Sequence, residues 1–262
     1  MERHTSHDVL IKALFATLIV SLQLSGCGNQ NGLLNSQSEK QITKGTIVFY
    51  HFDEVSGSTA VDSSGNGFDG TIYGAPRVPG KVGQALQFGL SGSRVEIPPF
   101  QNITGSNSVF KQSQEITVDA WLNPTTLTPG SIYQIVGDSY YGKDCFILQL
   151  NDGKVEFLLY DNSGTFKTII TSSASLTINT WTYVAVTFDG GVARLYINGV
   201  QNSSLATPFP IKDPYNILLV GTTTTFSNGY SNEFPGLIDE LRISNVILSA
   251  TEIKDYYQQT NL

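Results

Sequence analysis

Apolar and polar positions alternate along this chain in short runs separated by turn residues. Across residues 116–122 the pattern is clean. Ile116, Val118, Ala120 and Leu122 fall on one side, and Thr117, Asp119, Trp121 and Asn123 on the other. A period of two is that of a β-strand with one buried face. In the run W-T-Y-V-A-V-T-F-D-G-G-V-A-R-L-Y-I-N-G, residues 181–199, Thr182, Val184, Val186 and Phe188 oppose Trp181, Tyr183, Ala185 and Thr187. Both sides are mostly apolar or aromatic, which predicts a strand buried between two sheets. Asp189-Gly190-Gly191 then turns the chain, and a second strand is expected over residues 193–197. Asn198-Gly199 closes it with a hairpin signal, because both central residues of a type I′ turn need positive φ.

Residues 46–52, 86–88, 94–97, 217–220 and 237–243 read as further strands, each bounded by turn residues. Residues 145–150 and 154–160 pair as a hairpin around Asn151-Asp152-Gly153. Near the end, Ser249-Ala250-Thr251-Glu252 fits a capping box for one short C-terminal helix. Many short strands with no interleaved helices predict an all-β fold of two antiparallel sheets packed as a sandwich.

Five blocks resemble one family in order. They are His51-Phe52-Asp53-Glu54 with Gly57, residues 62–67 and Gly70; the G-x-x-G-x-A-L-x-F segment at residues 80–88; I-T-V-D-A-W-L-N-P at Ile116–Pro124; the 181–199 hairpin; and F-P-G-L-I-D-E-L-R-I at residues 234–243. The pattern resembles the LamG-like jelly roll of the concanavalin A-like lectin and glucanase superfamily. It covers residues 44–262 and implies one jelly-roll domain there. That superfamily contains sugar binders, adhesion modules and glycoside hydrolases, so function has to be argued from a site.

The first residues give an address. Arg3 and Lys12 precede an apolar run over residues 13–24, which would span about 18 Å as a helix. That is too short to cross a bilayer and suits a signal-peptide core. It ends in Leu24-Ser25-Gly26-Cys27, which resembles a bacterial lipobox. Residues 1–26 are therefore expected to be a lipoprotein signal peptide, with lipid on Cys27 anchoring the protein in the cell envelope. Gly28 rather than Asp follows, so the outer membrane is expected where there are two. Residues 27–43, rich in Asn, Gln, Ser and Gly, read as a flexible tether that holds the domain roughly 20 Å away.

Composition narrows the chemistry. Twenty-two acidic against 15 basic residues give a net charge of −7, which argues against nucleic acid as a partner. Beyond the signal only His51 and Cys145 remain of the histidines and cysteines once Cys27 is lipidated. An internal disulfide and a His/Cys zinc site are thereby excluded. Cys145 reads as a small buried hydrophobe.

The most oxygen-rich stretch is Asp62-Ser63-Ser64-Gly65-Asn66-Gly67. Calcium takes six to eight oxygens in a flexible shell. The resemblance implies a structural calcium ion near the opening acidic strand and the closing I-D-E strand, with Asp62, Asn66 and Asp239 beside it and Asp53 as a secondary candidate. The same residues equally suit Asx-type turns without a metal. Glu240 and Arg242, two apart, suit a supporting ion pair or a role in binding.

Glycoside hydrolysis generally needs two carboxyl groups flanking one bond. The compact E-x-D-x-x-E strand of some superfamily hydrolases is absent: Glu115 and Asp119 lack a third acid, and Asp239 and Glu240 are neighbours on opposite sides. No catalytic residue is assigned. Sugar binding needs rings and polar loops. Two loops supply them, residues 137–144 with Tyr140 and Tyr141, and residues 222–232 with Phe226 and Tyr230. Those rings suit ligand stacking or packing back on the sandwich. The expectation is a membrane-anchored lipoprotein carrying a non-catalytic carbohydrate-binding or adhesion module, its partner a glycan or a surface protein. The alternatives are a polysaccharide-degrading enzyme or its accessory subunit, and a structural envelope protein.

Overall fold

A computed structural model describes residues 45–100, 114–138, 145–161, 163–211, 217–224 and 230–261. In chain order the strands are β1 (Thr46–Tyr50), β2 (Thr59–Ala60), β3 (Gly70–Tyr73), β4 (Arg77–Pro79), β5 (Gln84–Gln87), β6 (Arg94–Ile97), β7 (Ile116–Pro124), β8 (Ile132–Asp138) and β9 (Phe146–Asn151). They continue with β10 (Lys154–Tyr160), β11 (Phe166–Ser175), β12 (Thr182–Phe188), β13 (Val192–Ile197), β14 (Val200–Ala206), β15 (Leu218–Val220), β16 (Thr223–Thr224), β17 (Tyr230–Ser231) and β18 (Gly236–Ser244). One helix, α1 (Ala250–Thr260), follows.

Two sheets form the sandwich. The first runs β14-β13-β12-β7-β18-β5-β4, with β1 also paired to β18; the second runs β11-β10-β9-β8-β15-β6-β3-β2. Their facing sides make one apolar core. Val118, Ala120 and Leu122 of β7 and Val184, Val186 and Phe188 of β12 share it with Phe146, Leu148 and Leu150 of β9 and Val155, Phe157 and Leu159 of β10. Each large side chain so buried contributes about 1.5–3 kcal/mol. The alternation in the sequence thus gives the two-sheet sandwich, and the expected turns are present: Asn198 and Gly199 have φ of 50° and 75°, Asp152 and Gly153 of 50° and 77°.

One expectation is corrected. The second apolar side of β12 lies under a helix, not under a sheet. Tyr183 stands 5.6 Å from the Tyr256 ring and 6.3 Å from Tyr257 of α1. Trp121 of β7 packs 5.6 Å from Tyr257 and donates its indole N–H to Thr260 Oγ1 at 3.0 Å. Helix α1 can take this place because its start is fixed by the expected capping box, with Ser249 Oγ accepting from Glu252 N–H and the Glu252 carboxylate accepting from Ser249 N–H. Among the described residues no helix is long and apolar enough to cross a membrane.

Candidate ligand-binding face

Of the residues singled out in the sequence, Cys27, Tyr140, Tyr141 and Phe226 lie outside the described residues, and of Tyr230 only the backbone of β17 is described. The flanks of the two aromatic loops are placed. Residue 138, before one loop, pairs with Leu218 at the start of β15, while the hairpin β16–β17 follows the end of β15. The first loop therefore follows the end of β8 and the second the end of β15.

The four oxygen-bearing residues divide into two pairs. Asp62 is a turn organiser. Its Oδ1 accepts from the backbone N–H of Phe49 (3.1 Å) and Ser64 (2.9 Å), and its Oδ2 from Ser64 Oγ (2.8 Å) and Phe68 N–H (3.0 Å). Asn66 donates its amide to the carbonyls of Thr46 and Ile47, both at 2.9 Å. Asp53 and Asp239 instead receive the turn between β4 and β5. Asp239 Oδ2 accepts from Lys81 and Val82 N–H at 2.8 and 2.9 Å, and Asp53 Oδ1 from Gln84 N–H at 2.7 Å. This explains the G-x-x-G spacing. A Cβ on Gly80 would stand 2.6 Å from Asp239 Oδ2, and one on Gly83 would collide with the Asp53 carboxylate. Burial, reinforced by neighbouring Glu240, pushes the Asp239 carboxyl up to about 7 against the pull of its N–H donors.

Calcium was expected among these four. Among the described residues no three acidic, imidazole or thiol side chains gather where they could hold a metal ion. The carboxylate oxygens of Asp62 and Asp239 face N–H and O–H donors. As arranged, all four residues hold turns through these hydrogen bonds.

The sequence spacing suggested a Glu240–Arg242 pair, but β18 carries a bulge between Asp239 and Arg242, with Glu240 at a φ of 52°. The bulge separates their partners. Arg242, 1% exposed, makes a bidentate pair with Asp119, Nε to Oδ1 at 3.0 Å and Nη2 to Oδ2 at 2.9 Å. Tyr183 donates its hydroxyl to the same Asp119 Oδ2 at 2.7 Å. Glu240 accepts from Tyr256 OH and lies 2.7 Å from His51 Nδ1. The Glu240 hydrogen bond raises the His51 imidazole above its usual value. Burial first, then the adjoining carboxylate, raises the Tyr183 and Tyr256 hydroxyls. The Arg242 guanidinium also lies 4.6 Å over the Tyr256 ring. The network joins the first sheet to α1, and among the described residues Arg242 Nη1 is the one atom of its guanidinium left without a hydrogen-bond partner.

The outer face of the second sheet is arranged differently. Cross-strand partners point to the same side, so the pairings define rows. One row crosses five strands as Ile169, Leu158, Ile147, Gly137 and Leu219, and continues through Glu96 to Thr71. None of its apolar members belongs to the core cluster. Beside it runs a polar row, Thr171, Glu156, Gln149 and Gln134, with Glu233 bridged to Gln134. Glu156, 8% exposed, accepts from the Gln149 amide at 2.9 Å and the Asn151 amide at 3.3 Å. On the other flank the Tyr160 and Phe166 rings meet edge to face at 5.7 Å, and Phe166 is exposed. An apolar strip with rings on one side and amides and carboxylates on the other matches the C–H faces and hydroxyls of a sugar. The hydrogen-bond partners of Glu156 are amides, not a second carboxyl.

The strand alternation that builds this face is visible in residues 145–160, but the rows need the register of five strands.

Residues 98–254 match the family described as the concanavalin A-like lectin/glucanases superfamily. The chain belongs to this superfamily. No curated protein matches the superfamily member described here. Solved structures share its fold. The binding domain of Paraclostridial Mosquitocidal Protein 1 is similar over 84% of this chain, with 16% identity and a TM-score of 0.64. The botulinum neurotoxin serotype D binding domain gives 85%, 18% and 0.63. The serotype D ligand binding domain in complex with N-acetylneuraminic acid gives 85%, 18% and 0.62. This chain spans about half of each, 53%, 52% and 52% respectively. At such identity these likenesses concern the fold alone.

Proposed function

We propose that this chain is a non-catalytic glycan-binding or adhesion module, held at the bacterial cell envelope by lipid on Cys27 and joined to its anchor by residues 27–43. The observation that carries the binding part is the outer face of the second sheet, where the apolar row from Ile169 to Leu219 lies against the Glu156–Gln149–Gln134 row. The structure of a neurotoxin domain with N-acetylneuraminic acid, on the same fold, supports a carbohydrate as the ligand class. Tyr140, Tyr141, Phe226 and Tyr230 stay in the proposal as candidate ligand contacts. The polar row matches a bound sugar's hydroxyls, and the ring flank gives it a stacking surface.

A glycan array tests this. Saturable binding of the purified protein to one glycan class is expected, and a blank array contradicts it. The anchor has its own test: incorporation of a labelled fatty acid in the bacterial host, lost in Cys27→Ala. Retained labelling in that variant would contradict lipid on this residue.

A further inference from the structure

The polar row also bears on which glycans this face would take. Its two ionisable members, Glu156 and Glu233, are both carboxylates, and the next row adds Glu96. The cation nearest Glu96, Arg94, is already engaged: its Nε lies 2.8 Å from Glu96 Oε1, and its guanidinium stacks 3.8 Å over the Tyr73 ring. Lys154, exposed at the start of β10, stands one row beyond Glu156 at the rim. Gln149 and Asn151 turn amide N–H groups onto Glu156, so its charge is held by neutral donors rather than by a cation. A ligand lying on the apolar row therefore meets the edge of a polar row that is itself largely buried, with Gln134 2%, Gln149 8% and Glu156 8% exposed, and whose only charges are negative. The whole chain adds a net charge of −7.

Resting on the glycan-binding reading, we infer that this face takes uncharged glycans and rejects acidic ones, those bearing sialic acid, uronate or sulfate. A carboxylate or sulfate seated over the rows would face Glu156 and Glu233, with no cation among the described residues of the row. On a partly desolvated face such like-charge approach is costly, and salt relieves only its exposed part. Selectivity by repulsion of the wrong ligand is a common device. The neutral ligand loses nothing, because hydroxyls donate to carboxylates and exchange bonds with amides.

The test is an array in which each neutral glycan stands beside its sialylated, uronate or sulfated derivative, followed by affinity titration of the pairs that bind. The neutral member is expected to bind, with the acidic member at least tenfold weaker at 50 mM salt. Raising salt to 500 mM should narrow the gap, and Glu156→Gln should narrow it at low salt. The salt series uses the unaltered protein, so the inference stays testable even if that variant folds poorly. Equal or tighter binding of the acidic member overturns the inference and leaves the glycan-binding reading standing. No binding to any glycan overturns the reading itself.

Discussion

The two outer faces of this sandwich are built from the same kind of strand and end differently. On the first sheet, the outer residues Asp119, Trp121, Tyr183 and Arg242 are buried beneath α1, and most of their polar atoms bond to one another or to Thr260, with Arg242 Nη1 left without a hydrogen-bond partner and the guanidinium over the Tyr256 ring. On the second sheet, the outer row passes from exposed Ile169 through half-buried Leu158 and Ile147 to buried Leu219, with no helix named among the described elements lying on it. A covered face converts polar residues into fixed structure. The second face keeps amides and apolar side chains in register with no helix among the described elements over it, and the proposed binding rests on that difference.

The comparison predicts unequal mutational effects. The largest belongs to the covered face. Asp119→Ala leaves Arg242 charged and buried, which should cost about 3–5 kcal/mol and appear as a large fall in thermal and denaturant midpoints. A loss below about 1 kcal/mol, the scale of exposed pairs, would mean that the pair is solvated and the two faces are alike. Next, Tyr256→Phe removes the hydroxyl donor to Glu240 and should cost about 1–3 kcal/mol through the unsatisfied carboxylate. Removing the cap of α1 with Ser249→Ala should cost about 1 kcal/mol. An unchanged melting temperature in both would detach the helix from the stability of the first sheet.

Metal removal has the smallest expected effect. Because the oxygens of Asp62 and Asp239 already face N–H and O–H donors, calcium and chelator should give the same melting curve. An ion bound at a hundredfold excess over its Kd would add about 2.7 kcal/mol, so a rise of several degrees with calcium would show that this turn geometry rearranges around a metal.

Much of the fold is legible in the residues. The alternation of β7, the Asn198-Gly199 turn and the capping box at Ser249 are local signals, and each reports a local requirement of backbone or burial. What lies outside the sequence is register. The bulge in β18 places a non-glycine, Glu240, at positive φ and moves Arg242 opposite Asp119; no spacing announces that. Strands β8, β11 and β14 lack clean alternation, since β8 and β11 carry register shifts and β14 is a largely exposed edge. The candidate face depends on β8 and β11, so its rows become visible only once five strands are aligned. The oxygen-rich loop at Asp62 shows the reverse case. Its composition suits a metal or a turn equally, and the hydrogen bonds that Asp62 accepts become visible only in the folded chain.

The most direct measurement places Leu158→Asp beside the unaltered protein in two assays, glycan affinity and thermal melting. Leu158 sits in the middle of the apolar row and outside the core cluster. Affinity should fall at least tenfold while the melting temperature moves by no more than about 4 °C, the shift expected from roughly 1 kcal/mol in a domain of this size. Unchanged affinity in a folded variant would contradict the assignment of binding to this face.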